Sequence, residues 1–389
     1  MLFSNILVAS MASAAAIKTS PGVVKVPLRG RQPSEDDLER LAQRDISPRE
    51  ISASWKMDYY FFEADIEIGT PPQNVSVLFD TGSPLLWVPG ANSTSCLAKN
   101  SPCKDTFNVS ESSTWRYKKE SANWGGHGNW GLDTLTYAGQ TLKDHQIWVS
   151  KDKMANNVGI FGQSGEDDPT NSFVSGLAKA GKISRAIYSI NTDKATQFNK
   201  ESNLGIVANV IYGGFDKAKY EGPLTTIDCD HKGGYAMPLG GLSVKGKPVA
   251  DERNHTIVLD TGGVSITLTN NTLKHVALGY GGDGSLYKDA YYYVDCDSTP
   301  EVTYEFGETK IDVPLTSWLK KHGDKCSIDL WPAKNDQVNL LTGPLVISRA
   351  LVIYDNDRSQ ITIGKAKYTD ESDVVEITGD IPGAVKYQK

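Results

Sequence analysis

Beyond the first sixteen positions no apolar run reaches the length of a membrane span, and the C-terminal stretch TDESDVVEITGDIPGAVKYQK is charged throughout. On that reading a transmembrane helix and a glycolipid anchor are both excluded. Basic charge is in deficit as well, with Lys+Arg 40 against Asp+Glu 47 and a formal net charge of −7. With a pI near 5.5 the chain should repel phosphate backbones and anionic lipid, so nucleic acid is not an expected partner. Histidine (6) and cysteine (5) are scarce, and no spacing of the two resembles a metal site. No metal and no cofactor is expected. Low-complexity runs and long Pro-rich linkers are missing. A composition of 39% hydrophobic and 22% charged residues over 389 positions belongs to a folded chain, which rules out disorder, collagen and a small disulfide scaffold. At about 150 residues per domain, the length predicts two or three domains.

The exception among the apolar runs is MLFSNILVASMASAAA, Met1 to Ala16, which is short, terminal and ends in small residues. It reads as a secretory signal peptide in which Ala14 and Ala16 supply the small-x-small pattern, although its start carries neither Lys nor Arg; a buried N-terminal strand or helix is the alternative. An extracellular destination follows, with the vacuole second. Five cysteines suit an oxidising compartment if four of them pair. Cys96 and Cys103 are seven apart in a polar loop, and Cys296 and Cys326 are thirty apart. That leaves Cys229, read as a small buried hydrophobe rather than a reactive thiol. Glycosylation sequons at Asn74, Asn92, Asn108, Asn254 and Asn270 are only modestly more than composition gives by accident, and they agree with secretion.

Residues 17–50 are rich in charge, and EDDLERLAQR has helical spacing with Leu38 and Leu41 on one face. Two readings fit: a basic propeptide lying over an acidic site, or a solvated surface helix. From Tyr59 onward the texture changes to short alternating runs such as YYFFEADIEIG and VSVLFD, broken by Gly, Pro and Asn turns. Such runs predict strands almost to the end, with short helices at Ser172–Gly181 and Leu268–Gly279 and an all-β class. The most informative repeat is VSVLFDTGSPLLWVP around Asp80, which recurs 180 residues later as HTIVLDTGGVSITLT around Asp260. Each copy is an apolar strand running into Asp-Thr-Gly, so a carboxylate sits where a buried strand turns back. One such tripeptide means little, because all three are common turn residues. Two copies half a chain apart imply two homologous lobes related by a pseudo-twofold, each giving one Asp to a shared site.

IGTPPQ (Ile68 to Gln73) precedes FDTGSPLLWVP, in which Trp87 falls seven after the Asp; VGIFG (Val158 to Gly162) and VIYGGFDKAKYEGPL follow, and LTGPLVISRALVIYDNDRSQITIG closes the series with Leu341, Thr342 and Gly343. In this order the chain resembles the pepsin-like aspartic proteases of the secreted fungal type. The resemblance implies a bilobal all-β fold of two barrel-like lobes, residues 51–216 and 217–389, after a signal at 1–16 and a propeptide at 17–50. It implies an acid-active aspartic endopeptidase that takes polypeptide substrates, binds pepstatin-like inhibitors, is a monomer and needs no cofactor. Disulfides Cys96–Cys103 and Cys296–Cys326 match that family's spacings. Asp80 and Asp260 would be catalytic, with Thr81, Gly82, Ser83, Thr261 and Gly262 in support. Thr81 and Thr261 would cross-link the two loops by reciprocal hydrogen bonds.

Three positions depart from the family pattern. Ser83 follows the first Asp-Thr-Gly, but Gly263 follows the second, where Ser or Thr is usual, so Asp260 loses one donor. The flap lacks its usual Tyr; Trp124, with Gly125 and Gly126, is the positional substitute for substrate binding, against an aromatic that merely packs on the hairpin. Pro344 stands where an acidic residue is common. The first two departures motivate an alternative, a pepsin-like binding module with little turnover. A two-carboxylate glycosidase is a distant third.

Overall fold

The computed structural model describes residues 17–20, 22–31, 61–99, 101, 103, 105–123, 126–152, 158–165, 168, 170–196, 207–229, 235–250, 252, 255–263, 266–333 and 339–388. The signal segment, the EDDLERLAQR stretch, Trp124, Gly125 and Asn254 lie outside those residues.

Alternation builds most of the strands. In Phe61–Ile68, Phe62, Ala64, Ile66 and Ile68 are buried while Asp65 and Glu67 face solvent. The chain then turns and runs antiparallel along Gln73–Asp80, with Ile68 opposite Gln73 and Glu63 opposite Leu78. Toward its end this second strand stops alternating: Val77, Leu78, Phe79 and Asp80 are all buried. A strand covered on both faces is the form that a continuous apolar run takes in a parallel pairing. Its parallel neighbour is Gly159–Gly162, with Asp80 opposite Gly162. The C-terminal half repeats the device, because Thr256–Leu259 lies parallel to Asn339–Thr342 with Leu259 opposite Thr342.

A fifteen-stranded sheet runs through the described residues and joins the two halves. At its middle Ile187–Thr192 pairs antiparallel with Ala350–Asp355, which places Tyr188 opposite Tyr354. Val207–Tyr212 flanks this pair on one side, and Gln360–Ala366 with Tyr220–Asp228 on the other. Next to Val207–Tyr212 comes Val23–Arg31, from the stretch read as a propeptide, and this strand also pairs with Phe61–Ile68. Val24, Val26 and Leu28 bury themselves in the main core. The fold is all-β, as the alternating texture led us to expect, and is consistent with the bilobal pepsin-like arrangement.

Both expected helices form. Phe173–Lys179 begins at Ser172, whose side chain accepts from the Ser175 N–H, and Asn270–Gly279 begins at Thr269, which accepts from the Thr272 N–H. A third short helix, Pro344–Ile347, has Pro344 in its first turn, where a missing N–H costs nothing. Position 344 is thus served by a helix start. Cys96 pairs with Cys103 and Cys296 with Cys326, leaving Cys229 as a free, half-buried thiol whose surroundings push its pKa up to about 12 through burial. Among the described residues no helix is long and apolar enough to cross a membrane.

Candidate active site

The two Asp-Thr-Gly turns meet between the halves. Thr81 and Thr261 are fully buried, and each backbone N–H donates to the other's hydroxyl at 3.0 Å across 180 residues of chain. Each hydroxyl in turn donates to the opposite Asp strand: Thr81 Oγ1 to the Leu259 carbonyl at 2.7 Å and Thr261 Oγ1 to the Phe79 carbonyl at 2.6 Å. Four buried hydrogen bonds with no solvent to compete hold the loops in one relative position. The parallel neighbours fix them from behind. Gln163 N–H donates to the Asp80 carbonyl at 2.7 Å, and Asp260 N–H donates to the Thr342 carbonyl at 2.9 Å.

The carboxylates therefore face each other. Gly82 N–H donates to Asp80 Oδ1 and Gly262 N–H donates to Asp260 Oδ1, both at 2.8 Å. A Cβ placed on Gly82 would lie 2.3 Å from Asp260 Cγ, and one on Gly262 would lie 2.7 Å from Asp80 Oδ1 and 3.2 Å from Asp260 Oδ1. Glycine is required at both positions by this close approach, not by a left-handed backbone. One oxygen from each Asp thus converges on a single small volume. Asp80 is buried and Asp260 half-buried. Ser83 Oγ donates to Asp80 Oδ2 at 2.5 Å. Gly263 offers no hydroxyl, though a Cβ there would sit 3.3 Å from Asp260 Oδ2. No group of three or more His, Cys, Asp or Glu among the described residues could hold a metal.

WGLDTLTYAGQTL belongs to the hairpin of Gly126–Tyr137 with Gln140–Ser150, which turns at Ala138 and Gly139. Trp124 and Gly125 lie outside the described residues; the strands on either side, Arg116–Asn123 and Gly126–Tyr137, pair antiparallel with Asn123 opposite Gly126. Gly126 is buried there, and exposed His127 faces Asp152, its N–H donating to Asp152 Oδ1 at 2.6 Å. Two tryptophans hold this hairpin: Trp130 Nε1 donates to Ser121 Oγ at 2.8 Å, and Trp148 Nε1 to the Ser121 carbonyl at 3.4 Å. Trp148 also packs edge-on against Trp87. The Trp pair was visible as composition, but nothing local pointed to Ser121 as its partner.

Tyr354 is another residue that sequence reasoning passed over. Its hydroxyl donates to the Leu259 carbonyl at 3.1 Å and lies 3.4 Å from Thr81 Oγ1. Of the sequons, Asn74, Asn92 and Asn270 are exposed and Asn108 is half-buried. Asn270 Oδ1 accepts from the Tyr292 hydroxyl at 3.0 Å, and Asn108 caps a short helical turn through Ser110.

Comparison with known proteins agrees with this arrangement. The chain is 28% identical over 345 residues to "Secreted aspartic protease 5" of Candida albicans, covering 81% of this chain and 78% of that protein. It is 27% identical over 360 residues to "Acid protease" of Saccharomycopsis fibuligera, covering 84% of this chain and 86% of that protein. With Rhizopuspepsin-2 of Rhizopus niveus it shares 28% identity over 295 residues, 69% of this chain and 71% of the relative. The family described as eukaryotic aspartyl protease matches residues 59–366, most of the chain and both Asp-Thr-Gly turns. The chain belongs to the eukaryotic aspartyl protease family.

Proposed function

We propose that the chain is an acid-active aspartic endopeptidase in which Asp80 and Asp260 share one proton and direct a water at a peptide carbonyl. The observation that carries this reading is the reciprocal crossing of Thr81 and Thr261, which presses each loop against the other's carboxylate. In aspartic protease dyads generally, two neighbouring carboxylates cannot both ionise cheaply and hold one proton between them. The ionised member takes a proton from the water as it attacks. The protonated member hydrogen-bonds the carbonyl oxygen as that carbon becomes tetrahedral. Neither a metal nor a covalent enzyme intermediate enters the sequence of events. Substrate would lie extended in the cleft between lobes 51–216 and 217–389, pairing its backbone as an added strand.

Secretion, glycosylation and zymogen processing belong to the same proposal. Names such as "Secreted aspartic protease 5" among the relatives support export of the chain. Exposure of Asn74, Asn92 and Asn270 makes them the sequons best able to receive a glycan. If residues 17–50 are removed on maturation, the interior strand Val23–Arg31 must either stay bound after the cut or give up its place in the sheet.

The test is hydrolysis of denatured haemoglobin by the purified, acid-treated protein at about pH 3 to 5, with and without pepstatin, in the range where a carboxylate dyad holds one proton. Pepstatin-sensitive cleavage is the expected result. Silence under conditions where a related protease cuts would turn the reading toward a peptide-binding protein with little turnover.

A further inference from the structure

Two buried tyrosines stand face to face where the halves join, and their hydroxyls have different fates. Tyr188 and Tyr354 are opposite each other in neighbouring strands, with rings stacked at 4.8 Å between centroids and 10° between planes. Both are fully buried, and Tyr235 packs against Tyr354 at 5.5 Å. The Tyr188 hydroxyl has no hydrogen-bond partner among the described residues. The Tyr354 hydroxyl reaches the Leu259 carbonyl at 3.1 Å, with Thr81 Oγ1 at 3.4 Å as a second, longer partner. Leu259 is the residue before Asp260, and Thr81 is the residue after Asp80. One phenol oxygen thus touches the support of both carboxylates, one from each half.

We propose that Tyr354 is a positioning residue for the dyad, its hydroxyl tying the backbone before Asp260 to the side chain after Asp80. The geometry gives the reason. The Leu259 carbonyl already accepts from Thr81 Oγ1 at 2.7 Å, and the Thr81 oxygen accepts from Thr261 N–H at 3.0 Å. A third polar atom against this pair braces it from the sheet side, where no water competes. The ring is fixed in turn by the stack, so the hydroxyl has little freedom to leave. Burial raises the Tyr354 pKa while the Thr81 contact lowers it, so the group remains a neutral donor at any pH where the protein is folded.

A shared proton splits the pair's two apparent pKa values apart, and the split depends on how close the carboxylates are held. Slackening the brace lets the two values approach each other. The acid limb of the pH–rate profile then moves up and the basic limb moves down, so the bell narrows. The inference rests on the assignment of Asp80 and Asp260 as the dyad.

The experiment compares Tyr354→Phe with Tyr188→Phe in the full chain after acid treatment, using a fluorogenic peptide that the wild type cleaves. Tyr354→Phe keeps the ring and the stack. It is expected to fold, to lower kcat about three- to tenfold with KM unchanged, as for loss of one hydrogen bond, and to narrow the bell. Tyr188→Phe loses a hydroxyl that bonds nothing among the described residues and should match the wild type in rate and profile. Wild-type kcat and unshifted limbs in Tyr354→Phe would overturn the inference, as would the same narrowing in Tyr188→Phe. Failure of Tyr354→Phe alone to fold would also overturn it, because the hydroxyl would then be structural. The dyad assignment fails separately: if Asp80→Asn stays active, the assignment is wrong whatever Tyr354 does.

Discussion

The two Asp-Thr-Gly loops are alike in what joins them and unlike in what surrounds them. Each sends a threonine hydroxyl to the other's strand and each gives its own Asp a glycine N–H at 2.8 Å. Around that shared frame the first loop adds Ser83 on a buried Asp80, while the second has Gly263 beside a half-buried Asp260 and takes the Tyr354 hydroxyl on the carbonyl before it. The lesson is that the symmetric contacts bring the carboxylates together, and the asymmetric ones distinguish them. A duplicated strand-and-turn can supply the first kind by itself. The second kind comes from a position where the two copies differ, Ser83 against Gly263, and from Tyr354 outside the repeat.

The largest break in this comparison comes from the carboxylates themselves. If the proposed mechanism holds, Asp80→Asn and Asp260→Asn should each cost at least about a thousandfold in kcat, because one water then needs both carboxylates. Thermal melts of both variants should stay near the wild type, and normal activity in either would refute a shared site.

A smaller effect, on stability, separates the two halves as whole bodies. His145 in the N-terminal half is buried with neither ring nitrogen hydrogen-bonded among the described residues, and burial lowers its pKa to about 4 against an opposing pull from Asp168. The sign follows directly. The unfolded chain binds the proton as pH drops through the ordinary histidine value near 6.5, whereas the folded chain waits until about 4. Stability is therefore complete above that ordinary value, falls through the window between the two, and levels off below. The loss amounts to about 3 kcal/mol at most. The stability of the wild type relative to His145→Leu should fall as pH drops through that window. A constant gap would refute it.

Thr81→Val and Thr261→Val probe the symmetric frame, each expected to cost about 1–3 kcal/mol by urea unfolding. Thr261→Val should cost more, since the Leu259 carbonyl keeps the Tyr354 hydroxyl when Thr81 is lost. Equal costs would mean that the tyrosine adds nothing to that carbonyl.

The smallest effect concerns the missing hydroxyl. In Gly263→Ser the new Cβ must settle about where the built one lies, 3.3 Å from Asp260 Oδ2, which requires the neighbours to give slightly. If its hydroxyl reaches that oxygen, the charged form of the pair is favoured and the basic limb of the pH–rate profile moves to lower pH. Ser83→Gly should move the same limb up, again by no more than the worth of one hydrogen bond to a charged group, about 1.5–3 kcal/mol. Opposite shifts in the two variants would confirm that the loops differ chiefly by this donor.

Much of the architecture was legible because its signals are local. The alternation in FEADIEI and the continuous apolar runs before both Asp residues act over a few positions. Other elements were hidden for physical reasons. Val23–Arg31 carries Lys25 and Pro27 among its valines, and proline ordinarily argues against an interior strand. Ser121 as the partner of Trp130 and Trp148 was hidden as well, because a hydrogen bond between side chain and neighbouring strand leaves no local pattern.

What the amino-acid order determined alone was the existence of two equivalent carboxylate turns and the strand type that delivers them, since both depend on adjacent residues. Only the tertiary structure could bring Thr81 to Thr261 across 180 positions, seat Tyr354 on a carbonyl 95 positions away, or stack Tyr188 on Tyr354. Those outcomes depend on how two sheets close against each other, and a hydrogen bond between distant segments leaves no mark on the spacing of either one.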